Sequence, residues 1–415
     1  MKKFLPLIGL LMVLFANNLN GQGSWLSAYG IVGQDTLAVR DMVIADNGDA
    51  YIIGTFQGNI LSTAGSVTAV QTNPPADDYD DIFLLKVLSN GTHAWLKRFG
   101  HGTIDLPGEL AIGPDNSLYV TGNVNAFYAA GSTIDFDGTP LTTSAADAFL
   151  ANYDPDGTLN WVRIVAGGAA AQRIDAMRID GDRIVVAGFA RNSVTYDLTT
   201  VLRTGTFTHL AVLDLDGNLI SQNTIGFKGV FPNLGTGLVR SIAITPDGYG
   251  FAGEYRDSLF LDVDSLYCSY SDPDHTDIFL YKTNKDLEGQ WVRRTNSAIT
   301  GENIAHVVRF DGVDNLYMAG KMEPGSEHRF HSHRIRRVVR FTGGDQGFVR
   351  RTIKTPQATW TGMPSMDPIK EGCLLRFARS THQNHHGRVF FKVPSILGTT
   401  PFPWLREPAR WPCPV

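Results

Sequence analysis

Asp115-Asn116-Ser117-Leu118-Tyr119-Val120-Thr121-Gly122 is a turn, an apolar run and a closing glycine, and the chain repeats it at a nearly fixed interval. The other copies are Asp46-Asn47-Gly48-Asp49-Ala50-Tyr51-Ile52-Ile53-Gly54, Gly181-Asp182-Arg183-Ile184-Val185-Val186-Ala187-Gly188, Asp247-Gly248-Tyr249-Gly250-Phe251-Ala252-Gly253 and Asp314-Asn315-Leu316-Tyr317-Met318-Ala319-Gly320. The closing glycines stand at 54, 122, 188, 253 and 320, giving steps of 68, 66, 65 and 67. A period of this size is the mark of a repeat architecture.

Within the second unit, Trp95-Leu96-Lys97-Arg98-Phe99-Gly100 opens, and Glu109-Leu110-Ala111-Ile112 alternates. The quoted phrase follows. After an excursion over 123–145 comes the apolar run Ala148-Phe149-Leu150-Ala151-Asn152-Tyr153. The turn Asp154-Pro155-Asp156-Gly157 then leads to Trp161. Short runs rich in Ile, Val, Leu, Phe and Tyr, bounded by Asp, Asn, Gly and Pro, are β-strands. Asp-Gly and Asn-Gly pairs suit tight hairpin turns. No stretch of 23–321 keeps an apolar 3.6-residue period long enough for a substantial helix.

Other units keep this order. Trp25, Trp95, Trp161 and Trp291 share one place, which Ser221 takes in the remaining unit. Asp81-Ile82-Phe83-Leu84, Asp147-Ala148-Phe149-Leu150 and Asp277-Ile278-Phe279-Leu280 share another, to which His209-Leu210-Ala211-Val212 aligns. The expectation is an all-β chain of four-stranded antiparallel blades, about 66 residues each, with four full blades and a partial fifth. Such sheets bury their faces only by stacking around an axis, as a β-propeller does. The Trp and Phe side chains would then pack between blades.

These phrases, with Asp81-Ile82-Phe83-Leu84-Leu85-Lys86 and Asp277-Ile278-Phe279-Leu280-Tyr281-Lys282 matching best, resemble the SBBP-type β-propeller repeats of exported bacterial proteins, over roughly residues 25–321. The resemblance implies no shared catalytic residues. Some relatives end in a type IX secretion sorting domain, which is not recognisable here.

Residues 1–22 read as a cleaved signal peptide: Lys2 and Lys3, an apolar run from Phe4 to Phe15, then polar sequence. That run is short for a membrane span, and none is expected elsewhere. Secretion or display at the cell surface follows. Three cysteines, Cys268, Cys373 and Cys413, make no disulfide framework, and Cys268 reads as a small buried residue.

Charge divides the chain. Residues 1–321 hold 21 Lys+Arg against 35 Asp+Glu, whereas residues 322–415 hold 15 against 6. The acidic body gives no reason to expect nucleic-acid binding. Residues 322–415 form a basic, Arg- and His-rich tail in which the phrase stops midway through the fifth unit. A separate module, a disordered appendage and a shifted reading frame compete, and the abrupt inversion of Asp and Arg usage favours the last.

Chemistry-bearing clusters have ordinary explanations. The turns Asp135-Phe136-Asp137-Gly138, Asp154-Pro155-Asp156-Gly157 and Asp214-Leu215-Asp216-Gly217 begin like calcium loops. Their twelfth positions, Val165 and Ile225 in the last two, cannot ligate through the side chain. Asp77, Asp78, Asp80 and Asp81 read as a solvated loop. His328, His331, His333, His382, His385 and His386 lack the carboxylate or Cys partners of a metal site. No catalytic, cofactor-binding or metal-binding residue is expected, and no cofactor. The reading is an exported, non-enzymatic binding or scaffold module, monomeric if its ring is complete. Its partner would be an extracellular protein or glycan, met by the excursions 55–80, 123–146 and 189–208 as rims. The alternative is a propeller enzyme with a site in the axial channel, acting on glycans or other extracellular polymers. Convergent titratable side chains at the axis would favour it; Gly, Ala and Thr there would not.

Overall fold

The computed structural model describes residues 29–33, 35–62, 68–70, 80–100, 104–124, 133–136, 138–143, 146–167, 171–196, 198–228, 237–268, 275–295, 303–312 and 315–322, with short strands at 329–330, 337–338, 346–353 and 388–391. The leader, Trp25, Asp77, Asp78 and the six tail histidines lie outside the described residues.

The strands, in chain order, begin with β1 (Tyr29–Gly33), β2 (Leu37–Ile44), β3 (Ala50–Phe56), β4 (Asn59–Ser62), β5 (Thr68–Val70), β6 (Asp81–Val87) and β7 (His93–Phe99). Sheet β2-β3-β6-β7 is the first blade. The second, β8-β9-β12-β13, uses β8 (Leu106–Ile112), β9 (Leu118–Val124), β12 (Asp147–Tyr153) and β13 (Leu159–Ala166), with β10 (Thr133–Phe136) and β11 (Thr139–Thr142) in its excursion. The third is β14 (Gln172–Asp180), β15 (Arg183–Tyr196), β16 (Thr199–Asp214) and β17 (Leu219–Lys228). The fourth is β18 (Gly237–Thr245), β19 (Gly248–Tyr255), β22 (Asp277–Thr283) and β23 (Gly289–Arg294), with β20 (Ser258–Phe260) and β21 (Ser265–Tyr267) in between. A fifth sheet joins β24 (Ile304–Phe310), β25 (Asn315–Met322) and β28 (Gln346–Ile353). The pairs β26 (Arg329–Phe330) with β27 (Arg337–Val338), and β29 (Arg388–Phe391) with β1, complete the strands. The chain is therefore an all-β propeller. Among the described residues it has four four-stranded blades and a three-stranded fifth. No described helix is long and apolar enough to cross a membrane.

Each closing glycine sits at the same crossing. Gly54, Gly122, Gly188, Gly253 and Gly320 pair with Phe83, Phe149, His209, Phe279 and Phe348 on the third strand. On their other side the first strand bulges, at Val39/Asp41, Pro107/Leu110, Ile174/Ala176, Val239/Ser241 and Ala305/Val307. The bulge lifts a carbonyl onto the glycine. A Cβ at Gly54, Gly188 or Gly320 would overlap the carbonyl oxygen of Ala38, Arg173 or Ile304, and one at Gly122 would lie 2.8 Å from that of Leu106 and 2.5 Å from the Phe149 ring. Only glycine fits beneath both bulge and ring.

The register corrects one alignment. His209 faces Gly188 as Phe83 faces Gly54, so it holds the Phe place, two residues from the Asp place that the phrase assigned to it. The phrase misled because the third unit lacks both Asp and Phe there, leaving only apolar residues to align. The register also carries the fifth blade past Met322, since Gln346–Ile353 pairs with β25.

Blades meet through apolar seams. One seam joins Tyr51, Ile53, Leu84 and Phe99 to Leu118, Val120, Phe149 and Tyr153. The next two join the second blade to the third and the third to the fourth, and a fourth seam carries Trp291 against fifth-blade residues including Met318. Trp95, Trp161 and Trp291 recur in matching slots, opposite Lys86, Asn152 and Lys282 of their third strands. Trp95 donates its Nε1–H to the Pro155 carbonyl (3.3 Å), and its ring lies 3.0 Å from where a Cβ on Gly157 would stand. Trp161 meets Gly217 in the same way. Gly157 also needs its φ of +91°, so turn and seam select glycine together.

Described parts of the excursions reach back to neighbouring strands. Strand β4 pairs with β1, and β20 pairs with β17 of the preceding blade. Single bridges join Asp135 to Gly100 and Thr195 to Gly167, again reaching one blade back. Phe136, on the second strap, stacks on Phe99 of the first blade at 5.0 Å. One face of such a hairpin gains from covering a seam, while Leu61, Leu198 and Leu202 on the same excursions stay exposed.

Gly188→Ala should cost roughly 2–4 kcal/mol or prevent folding, through clash at the bulge. Gly138→Ala, with nothing near its absent Cβ but a φ of +86°, should cost only about 1 kcal/mol. Denaturant melts of both variants check the contrast. His209, held neutral by burial with its pKa lowered to about 4, should withdraw stability as pH falls from 6.5 towards 4, because the unfolded chain then binds the extra proton. Melting temperatures of wild type and His209→Phe across that range test it: the variant should lose the dependence.

Candidate functional site

The innermost strands β2, β8, β14, β18 and β24 lie side by side in that order. Four of them bring ionisable side chains together: Asp41 from β2, Glu109 from β8, Arg178 from β14 and Arg309 from β24. Glu109 owes its direction to the bulge that also serves Gly122. Its N–H donates to Thr121 Oγ1 (2.9 Å), and the Thr121 hydroxyl returns a bond to the Glu109 carbonyl (3.2 Å). Gly108, which must pass close to Thr121, allows this turn.

Each carboxyl reaches the next blade. Asp41 Oδ2 accepts the Leu110 N–H at 2.9 Å. Glu109 Oε2 accepts the Met177 N–H at 3.0 Å and the Arg178 guanidinium at 2.7 Å. Arg309 donates to Ser241 Oγ at 3.2 Å and to its own strand at Val308 O, 2.8 Å. Three seams between blades, first to second, second to third and fourth to fifth, are thus spanned by polar contacts near the axis. Burial pushes the Asp41 carboxyl up despite the Leu110 N–H. It pushes Glu109 up too, with Asp41 adding to the rise and Arg178 opposing it. Burial lowers Arg309, and the neighbouring Arg178 lowers it further. Two carboxyls and two guanidiniums in one enclosed place can bind a small polar group or move a proton. They can also simply hold the inner strands together.

Other singled-out residues fall elsewhere. The turn aspartates are hairpin residues: Asp156 Oδ1 accepts the Thr158 N–H at 2.9 Å, and Asp214 Oδ1 those of Asp216 (3.0 Å) and Asn218 (2.8 Å). Asp81 is buried and pairs with Arg98 at 3.5 Å, so it is no solvated loop residue; it opens β6, the third strand of its blade, and Arg98 lies on the outer strand β7. Cys268 is half-buried beside His275 and Asp277. The axial four were not singled out in the sequence. They sit at different places of the repeat, two of them beside bulges, and only the bulge geometry converges them.

No family model matches the chain, and no curated protein does either. Solved structures are similar in fold. The structure of the Dos1 propeller aligns at a TM-score of 0.36 and 8% identity, over 71% of this chain and 69% of that one. An acylaminoacyl peptidase in complex with Z-Gly-Gly-Phe-chloromethyl ketone aligns at 0.31 and 13%, over 75% of this chain and 47% of that one. A Hadza microbial sialidase, Hz136, aligns at 0.31 and 11%, over 68% and 63%. The chain thus spans about half the length of the peptidase and under two thirds of the sialidase.

Glu109→Ala should cost about 2–4 kcal/mol, since it strands the Arg178 cation and the Met177 N–H near the axis. Asp41→Asn keeps an acceptor for Leu110 and should stay within about 1 kcal/mol of wild type. The raised carboxyls bind protons more readily folded than unfolded, so they withdraw stability as pH rises above their ordinary values of 3.8 and 4.5. Denaturant titrations over pH should show that slope in wild type and a shallower one in Asp41→Asn.

Proposed function

We propose that the chain is an exported, non-enzymatic propeller of the SBBP type, working as a binding or scaffold module outside the cell. One observation carries this: the charged side chains that converge at the axis are engaged with one another and with the backbones of adjacent blades. Asp41 is committed to Leu110, and Glu109 to Met177 and Arg178. Groups that lace a scaffold have little acceptor capacity left for substrate. The leader proposal (1–22), the repeat body (23–321) and the basic tail (322–415) belong to the same reading, as does a partner that is a protein or glycan.

The enzymatic reading keeps one observation in its favour. Burial raises the proton affinity of both Asp41 and Glu109 beside two guanidiniums, and Asp41 raises that of Glu109 further, which is an arrangement suited to acid–base work on a polymer. Two measurements separate the proposals. The amino terminus of protein recovered from the exporting cell's exterior should begin near residues 16–22; unprocessed protein held inside would defeat export. Purified protein should turn over no glycoside or peptide in a broad substrate panel. Turnover that disappears in Glu109→Gln while the fold survives would replace the scaffold reading with the enzymatic one.

A further inference from the structure

Subtracting the repeat from the fourth blade leaves two residues that the scaffold does not ask for. Asp277 is the recurrent third-strand Asp, matched by Asp81 and Asp147. Two residues before those stand Tyr79 and Ala145, where the fourth blade has His275. The residue after the strap is Gln71 in the first blade and Thr143 in the second, where the fourth has Cys268. Both departures meet at one point. The thiol, an imidazole nitrogen and a carboxylate oxygen of Cys268, His275 and Asp277 all lie within 4.8 Å of one another. His275 and Asp277 are 0% exposed, and Cys268 is half-buried.

We propose that Cys268, His275 and Asp277 form a binding site for a divalent zinc-class ion, which ties the end of the β20–β21 strap to the start of β22. Three lines of physical chemistry converge on it. First, thiolate, imidazole and carboxylate are the donor types that zinc takes, and three such ligands leave a fourth tetrahedral position for water or a neighbouring oxygen. Second, the spacing fits. His275 Nε2 and Asp277 Oδ1 are 3.4 Å apart, against about 3.3 Å for the N–O edge of a tetrahedral zinc site. Third, the charge closes. A thiolate and a carboxylate neutralise a dication, which a buried position demands. The Tyr255 hydroxyl lies close enough to feel both Asp277 and Cys268. Arg294, the nearby cation, also interacts with Tyr255 and donates to the Tyr267 carbonyl.

A thiol–imidazole–carboxylate relay would use the same residue types, but its imidazole stands between the other two. Sulfur and carboxylate would then be about 7 Å apart, beyond the 4.8 Å found here. The convergent arrangement is that of ligands around a common centre.

The test uses the full-length chain with Cys373→Ser and Cys413→Ser, stripped by chelator, so that Cys268 is the one thiol. Zinc chloride alone should bind at one equivalent, raise the melting temperature and slow modification of the thiol by at least tenfold. Cobalt should give a thiolate-to-metal absorption band. Cys268→Ser should abolish the band, and His275→Gln should weaken zinc by more than the roughly 10–100-fold that loss of an outer partner costs. Full-rate thiol modification in saturating zinc overturns the proposal, and needs no variant at the site. Zinc stoichiometry unchanged in Cys268→Ser overturns it as well.

Discussion

The contact between a bulged carbonyl of the first strand and a glycine of the second is the constraint on which this propeller depends. The carbonyl presses on Gly54, Gly122, Gly188 and Gly320, with the Phe83 or Phe149 ring on the other side in the first two and the His209 imidazole in the third. The bulge adds twist to the inner strand, and a propeller blade needs strong twist to stack on its neighbours. Without the glycine the inner strand would be pushed off the sheet. Without the bulge the residues beside it would not turn towards the axis. The same local irregularity therefore sets the blade geometry and places Glu109 where it meets Arg178.

The period was legible because it is made of such requirements. Glycines at 54, 122, 188 and 320 are dictated by lack of room, and Gly157 and Gly217 by the tryptophans that lie on them. A requirement imposed by backbone and ring contacts repeats in every unit, so it shows in one sequence without any relatives. What was not legible depended on three dimensions. The excursions have apolar residues such as Phe136 and Leu259, but nothing in their order says that they reach back to the preceding blade. The fifth blade's third strand was hidden because Gln346-Gly347-Phe348-Val349 lacks the opening Asp and the Leu. One signal could have found it: Phe348 precedes Trp360 by twelve residues, as Phe83 precedes Trp95 and Phe149 precedes Trp161.

The axial cluster was illegible for a different reason. Asp41, Glu109, Arg178 and Arg309 each belong to an inner strand, yet Arg178 and Arg309 lie farther along their strands than the two carboxyls. A pattern reader sees four unrelated charges. Their meeting arises from five strands converging on an axis, where small separations compress unlike positions into one neighbourhood. Low dielectric there makes each unpaired charge costly, so the four engage one another and the neighbouring backbone.

Repetition also tells which residues carry information beyond the fold. A position that every blade fills alike answers a demand of packing, and its chemistry is accounted for by that demand. A position where one blade departs has been released from the demand or put to another use. His209 illustrates release: its ring still covers Gly188, and Tyr196 and the Arg173 carbonyl satisfy its nitrogens. Cys268 and His275 are a different case. They replace residues of unlike size and polarity, they do so in the same blade, and their donor atoms meet at Asp277, the third-strand acid shared with the first two blades. Two independent departures have little reason to converge on a point unless something at that point holds them, which is why the fourth blade, rather than the charged axis, is where this scaffold differs from its own pattern.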